Sequence, residues 1–335
     1  MIIIKSPLRI SFVGGGTDLP DFYSKYPGRV ISTTINKYIY LVINPAYHMN
    51  DFILKYQITE KVNHPSEIIH DRFRSALLDY GIIKNGLEIG TFADIPAKTG
   101  LGSSSSFTVA LVKGLSAYLG KTMSNGEAAE EACRFEIDIL KEPIGKQDQY
   151  AAAFGGFNIF QFNQDGRVDV EPVLLDYFKR SSLEDHLLLF FTGITRNASS
   201  VLGEQRLKIE ENLETYKKMS DSVFYFRDKL LAGDFKGMAD MLHEGWLRKK
   251  SLSSNISNSI IDSLYEIGIN SGAWGGKILG AGGGGCLMFI APPEKHMFIR
   301  EEITQAAKVS SLKEFQEIPV NFTQSGANII YNSNR

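Results

Sequence analysis

Apolar positions along this chain recur at two different spacings, and the changes between them mark its elements. Ile2 to Val13 reads as a strand that ends in Gly14-Gly15-Gly16. Tyr38 to Asn44 and Phe52 to Gln57 are rich in β-branched and aromatic residues and predict strands, as do Leu87 to Phe92 and Phe157 to Phe162. His64 to Tyr80 has helical spacing, and Phe107 to Leu119 is an apolar run that suits a helix. Ser124 and Glu127 form a capping-box pattern at the head of a helix expected to reach Lys141. Residues 163 to 184 are polar and irregular, so a boundary is placed there, dividing the chain into domains 1–180 and 181–335. The second part begins with a buried-type strand, Leu187 to Thr192, and a long helical stretch, Ser199 to Leu231. Helices at Phe235 to Arg248 and Asn258 to Ile269 follow, then a Gly280 to Gly285 loop and a strand, Cys286 to Ile290. A helix at Glu294 to Lys308 and a last strand near Ile318 to Phe322 complete the pattern. Strands and helices mix without a strict βαβ repeat, which favours an α+β fold over a doubly wound parallel sheet. No internal repeat or low-complexity tail is present.

Composition narrows the class without choosing a function. The 335 residues suit about two domains on the usual length prior. At 43% hydrophobic and 22% charged, with net charge -2, the chain reads as an ordinary soluble protein with no draw toward nucleic acid or an acidic membrane. Cys133 and Cys286 are the only cysteines, which excludes a disulfide framework or zinc-type cluster. The first residues meet Lys5 and Arg9 too soon for a signal peptide, and no apolar run is long enough to span a bilayer, so the expected location is cytoplasmic. The six histidines (48, 64, 70, 186, 243, 296) show no metal-ligand spacing.

The chemistry begins at Pro96 to Ser106, P-A-K-T-G-L-G-S-S-S-S, directly before the apolar helical run. Small residues let the backbone approach a phosphate closely, and the first N–H groups of a helix lack intrahelical partners. The helix dipole and the serine hydroxyls add to this, so the loop is a candidate nucleotide-phosphate site; a flexible linker or a serine-capped helix start is the plainer alternative. A Walker-type loop does not fit, because Gly145-Lys146 is followed by Gln147 and Gly276-Lys277 by Ile278. Gly280, Gly282 and Gly285 spell a G-x-G-x-x-G match, but they precede a strand where a dinucleotide fingerprint would open a helix.

Four segments in order carry a family resemblance: S-P-L-R-I-S-F-V-G-G-G-T-D-L (6–19), the glycine-serine loop, E-P-I-G-K-Q-D-Q (142–149), and G-A-G-G-G-G-C (280–286). Together they resemble the GHMP kinase superfamily over almost the whole chain. Gly14 to Asp18 departs from the G-E-H-T-D pattern of galactokinases and is similar to the fucokinase and D-glycero-D-manno-heptose 7-phosphate kinase branch, as is F-T-G-I-T-R-N-A (191–198). The resemblance implies two α+β domains, the first like ribosomal S5 domain 2 and the second ferredoxin-like, with ATP and sugar between them. It also implies ATP and Mg2+ as cofactors and phosphorylation of the anomeric hydroxyl of the heptose 7-phosphate to the 1,7-bisphosphate. A kinase of a free sugar such as fucose, or a sensing protein that has lost catalysis, stays open.

The resemblance gives the candidate residues their roles. Asp148 becomes the general base for the sugar hydroxyl; read alone, it serves equally as a helix cap. Arg9 would partner Asp148 and lower the barrier for the attacking oxygen, against the plainer fate of a surface ion pair. Pro96, Lys98, Gly100, Leu101, Gly102, Ser103, Ser104, Ser105 and Ser106 would line the ATP loop. Ser104 and Glu136 are the candidate magnesium ligands, since one carboxylate beyond the phosphates often suffices; Asp138 would face away on the same helix. Asp18 would accept sugar hydroxyls, with Gly14, Gly15, Gly16 and Thr17 around the ring. Gly282, Gly283 and Gly284 would shape the pocket from the second domain, and Arg196 is a candidate for a substrate phosphate. Arg72, Arg74, Lys249 and Lys250 cannot be ranked for that task from sequence.

Overall fold

The computed structural model describes residues 1–46, 50–195, 198–250 and 256–333, residues 198–200 by their backbone alone. Arg196 lies outside the described residues. The strands are β1 (Ile2–Val13), β2 (Gly28–Pro45), β3 (Phe52–Lys55), β4 (Thr59–Val62), β5 (Leu87–Ala93), β6 (Phe157–Phe162), β7 (Val168–Pro172), β8 (Leu187–Phe191), β9 (Gly275–Ile278), β10 (Cys286–Ile290), β11 (Gln316–Glu317), β12 (Phe322–Thr323) and β13 (Asn328–Asn332). The helices are α1 (Pro20–Tyr23), α2 (Asp71–Asp79), α3 (Ser103–Tyr118), α4 (Asn125–Cys133), α5 (Gln147–Phe154), α6 (Tyr177–Asp185), α7 (Ala198–Leu207), α8 (Leu213–Ala232), α9 (Phe235–Lys250), α10 (Ser259–Asn270) and α11 (His296–Val309).

These elements build two sheets, an α+β arrangement as expected. The first is nine-stranded, in the order β13-β1-β2-β5-β3-β4. The 18-residue β2 is long enough to pair β5 along its second half and β6 along its first, with β7 beyond β6. The second is an antiparallel sheet in the order β11-β8-β10-β9. The boundary near 163–184 separates the strands of these sheets only as far as β11. Strands β12 and β13 return to pair β2 and β1, so no single cut in the chain divides the sheets.

Helix α3 is apolar on nearly every side because it is enclosed on nearly every side. Leu111 and Leu115 pack with Ile2, Ile4, Leu41 and Ile43 of the sheet, while Val109 and Val112 face Ala128, Ala132 and Ala152 of α4 and α5. Each such side chain contributes about 1.5–3 kcal/mol on burial, which is ample to hold a helix whose first turn is left open for other duty. A further core, with Leu8, Ile10, Phe12, Leu189 and Met288, joins the first sheet to the second.

Several elements differ from the expectations. The helix expected over 124–141 is α4 followed by a π-type segment, Arg134–Ile139. The stretch 199–231 is two helices, α7 and α8. The polar stretch 163–184 holds β7, an edge strand with exposed alternate residues, and α6, capped by the Asp176 side chain. The last strand expected at 318–322 is replaced by three short pairings, because tertiary partners on β8, β2 and β1 decide them.

The capping box is formed: Ser124 Oγ accepts from the Glu127 N–H at 3.2 Å, and Glu127 accepts from the Ser124 N–H at 2.7 Å. Ser124→Ala should therefore lower stability by about 1 kcal/mol in chemical denaturation.

Candidate functional site

A cavity of about 1030 Å³ lies between the two sheets, and four stretches of chain converge on its walls. The glycine-serine loop supplies Pro96, Lys98, Gly100, Gly102, Ser103, Ser104 and Ser105. Gly102 precedes α3 in the left-handed conformation (φ 75°, ψ 20°), and no side chain caps the helix. The first intrahelical bond enters at the Ser106 N–H, which donates to Gly102 O at 2.9 Å. The N–H groups of the first turn thus have no intrahelical partner, and Ser103, Ser104 and Ser105 line the cavity at the positive end of the helix dipole. Gly100 is required by crowding: at φ +79°, an added Cβ would stand 2.4 Å from the Leu279 carbonyl oxygen of the second sheet's loop.

Arg9, on β1 and only 4% exposed, holds the next element in place. Its Nε and Nη2 each donate to one oxygen of Asp148 at 2.8 Å, a bidentate pair, and its Nη1 donates to Gly100 O at 2.6 Å. The Arg9 backbone N–H also donates to Leu101 O at 3.0 Å. Asp148 sits in the first turn of α5 and remains a quarter exposed to the cavity, so the pair is both fixed and accessible.

Asp18 lines the same cavity and is 3% exposed. It accepts from the Gly16 N–H at 3.0 Å, the Gln147 N–H at 3.2 Å and Gln147 Nε2 at 3.1 Å. Burial pushes its pKa above the ordinary 3.8, and the nearby Asp148 charge pushes the same way, against the backbone donors. Gly145 allows this approach, since a Cβ there would collide with Asp18 Oδ2 at 2.1 Å.

Gly15, Gly16, Gly282 and Gly284 also line the cavity. Thr17, Leu101, Ser106 and Gly283 support its walls from behind. Thr17 Oγ1 lies 2.8 Å from the carbonyls of both Gly14 and Arg29, and Ser106 Oγ 2.9 Å from Ser6 Oγ, so both hydroxyls are spent on the scaffold. Leu101 is fully buried, and the Gly283 N–H donates to Ile256 O at 2.7 Å. Gly14 packs against the Arg29 carbonyl and borders a smaller cavity.

The expected magnesium pair does not converge. Ser104 faces the cavity, but Glu136 is fully buried on the π-type segment and is not among the lining residues. It accepts from Arg72 Nη2 at 3.1 Å, Thr108 Oγ1 at 2.9 Å and Gln149 Nε2 at 2.6 Å. Arg72 binds Glu142 as well, at 2.6 Å, so a guanidinium stands where the carboxylate would meet a cation. As arranged, this donor set does not fit the metal. No cluster of three or more metal-ligating side chains occurs among the described residues.

Sequence reasoning missed Gln147, Lys277 and Gln205 and left Lys249 unranked, yet all four line the cavity. Gln147 stood inside the 142–149 motif, and Lys277 inside a Gly-Lys pair dismissed as a Walker lysine. Nothing local distinguished Lys249 or Gln205.

Known families and solved structures resemble this chain along most of its length. Residues 67–156 match the GHMP kinases N terminal domain and residues 226–308 the GHMP kinases C terminal domain. The chain is 31% identical over 304 residues to a D-glycero-alpha-D-manno-heptose 7-phosphate kinase of Campylobacter jejuni, covering 87% of this chain and 89% of that one. It is 30% identical to a bifunctional fucokinase/GDP-fucose pyrophosphorylase of Arabidopsis thaliana, covering 91% of this chain and 31% of that one. A crystal structure of a D-glycero-D-manno-heptose 1-phosphate kinase from Bacteroides thetaiotaomicron superposes with a TM-score of 0.79 at 27% identity, covering 99% of this chain and all of that one.

Two outcomes follow from the geometry. Asp148→Asn should lower kcat by about 100-fold or more with KM for ATP little changed; full turnover in the variant would remove Asp148 from the chemistry. Asp18 has a raised folded pKa, so its ionised form works against folding: its stabilising share is complete below 3.8 and is lost as pH rises through the folded value. The stability of wild type relative to Asp18→Asn should accordingly fall with rising pH in paired denaturation curves. A difference constant from about pH 4 to 8 would rule this out.

Proposed function

The chain belongs to the GHMP kinase family, and on that premise we propose that it transfers the γ-phosphoryl group of ATP to the anomeric hydroxyl of D-glycero-D-manno-heptose 7-phosphate. The product would be the 1,7-bisphosphate, made in the cytoplasm for nucleotide-activated heptose and surface polysaccharide. One observation carries the reaction type: Asp148, gripped by Arg9, stands beside the open N-terminus of α3 in the cavity that also holds Asp18. The sugar is supported by the likeness to the Campylobacter enzyme over most of both chains.

In this scheme the loop 96–105 and the first turn of α3 hold the nucleotide's phosphates. Asp18 takes hydroxyl hydrogen bonds on its remaining lone pairs and so orients the ring. Asp148 accepts the proton of the anomeric hydroxyl as its oxygen attacks the γ-phosphorus in line with the departing ADP. An anomeric hydroxyl is more acidic than an ordinary alcohol, which eases the loss of its proton to Asp148. Arg9 holds that carboxylate in position and also grips the loop, which keeps base and phosphate site in register. Magnesium would accompany ATP, and Ser104 is the candidate ligand that lines the cavity. Glu136 could reach a metal only after parting from Arg72, so no step is assigned to that ion.

The fully assembled reaction tests this directly. Full-length protein, ATP and magnesium would be offered D-glycero-D-manno-heptose 7-phosphate, sedoheptulose 7-phosphate, mannose, fucose and galactose, with product followed by phosphorus NMR. A new anomeric phosphate on the heptose 7-phosphate alone is the expected result. Turnover of a free hexose instead would keep the kinase roles and overturn the sugar. No turnover of any sugar would favour a sensing protein.

A further inference from the structure

Two lysines line the same cavity as Asp18 and Asp148 without an ion pair among the described residues. Lys249, in the last turn of α9, is 8% exposed, and its Nζ donates to Gly280 O at 2.7 Å. Lys277, on β9, donates to Ser11 O at 3.1 Å and Phe12 O at 2.8 Å. Their neighbours in sequence and space are treated differently. Lys250 pairs with Asp262 at 2.6 Å, Arg74 pairs with Asp71, and Arg72 lies between Glu136 and Glu142. Among the described residues Lys249 and Lys277 hydrogen-bond only main-chain carbonyls, and Asp18 is the one carboxylate whose charge is felt at Lys249.

Removing an ammonium from water without an anion is costly, so such a pair needs a reason to persist. Burial lowers Lys249 to about 8 and Lys277 well below its ordinary value, and the Arg9 charge adds to both shifts. The carboxylates nearby are already engaged: Asp148 by Arg9, and Asp18 by three N–H groups. Both lysines also border a second cavity of about 100 Å³ that reaches Gly15 and Trp246, so their ammonium groups stand between two open spaces. The nucleotide's phosphates have their own donors at the start of α3. What remains is a pair of desolvated cations and room for an anion.

We infer that Lys249 and Lys277 are the receptor for a phosphate monoester dianion carried by the sugar at a position other than the reacting hydroxyl, and that they make the enzyme choose a sugar phosphate over the free sugar. This rests on the proposed function, and gives its substrate phosphate a place. The same chemistry has one other source, the γ-phosphoryl group of ATP, and kinetics separate the two.

Full-length wild type, Lys249→Met and Lys277→Met would be assayed with D-glycero-D-manno-heptose 7-phosphate and with the unphosphorylated heptose. Each variant should lower the ratio of kcat/KM for the phosphorylated over the free sugar by about 10-fold or more, chiefly through KM, and Lys249→Arg should restore part of it. An unmoved ratio, with kcat falling equally on both sugars or KM for ATP rising, would assign the lysines to the γ-phosphoryl group and overturn the receptor. Calorimetry on the nucleotide-free wild type covers variants that do not fold. The 7-phosphate sugar should bind about 10-fold tighter than the free sugar and be displaced by inorganic phosphate; equal affinities overturn the receptor by themselves. A wild type that phosphorylates free hexoses and no sugar phosphate would overturn the proposed function, and the receptor with it.

Discussion

A single guanidinium ties the candidate site together. Arg9 reaches two elements that lie far apart in the chain, Asp148 at the start of α5 and Gly100 in the phosphate loop, while its backbone N–H holds Leu101. Arginine suits this task because its five donors lie in one rigid plane, so it can grip a carboxylate with two and a carbonyl with a third. The side chain is almost fully buried, which removes competing water and fixes one geometry. The distance between Asp148 and the glycine-serine loop is therefore set by one rigid group.

The second sheet enters the site through backbone contact. The Cys286 N–H donates to Thr99 O at 2.8 Å, and Gly100 lies against Leu279 and Gly280 so closely that neither glycine has room for a Cβ. The glycine-rich stretch before β10 is thus a place where one loop crosses another at van der Waals distance. This explains why a G-x-G-x-x-G spelling there belongs to no dinucleotide site: the glycines make room for polypeptide. It also brings β9, and with it Lys277, to the cavity.

Charge is distributed unevenly around this cavity. At one end, Glu136 and Glu142 share Arg72, so two carboxylates meet one cation. At the other, Arg9, Lys249 and Lys277 outnumber Asp18 and Asp148. An anionic substrate is drawn to the second end, and the sugar phosphate of the proposed reaction is such a substrate.

Local pattern was enough for much of this. The strands Ile2–Val13, Phe157–Phe162 and Cys286–Ile290 and the Ser124 capping box all depend on neighbouring residues, and each forms where it was expected. The glycine-serine loop stood out by its own residue types, whereas Arg9, Asp18 and Asp148 were singled out through the family resemblance. Other features depend on what lies across the fold. The first half of β2 is strand because β6 pairs it, and β12 and β13 form only where β2 and β1 offer open edges. Glu136 carries a carboxylate at the expected spacing, yet whether it faces a cavity or Arg72 depends on how α2 packs. Lys249 and Lys250 are indistinguishable as adjacent letters. One turns to an aspartate and the other into a cavity because successive residues on a helix point about 100° apart, and only the packing of α9 decides which of them is buried.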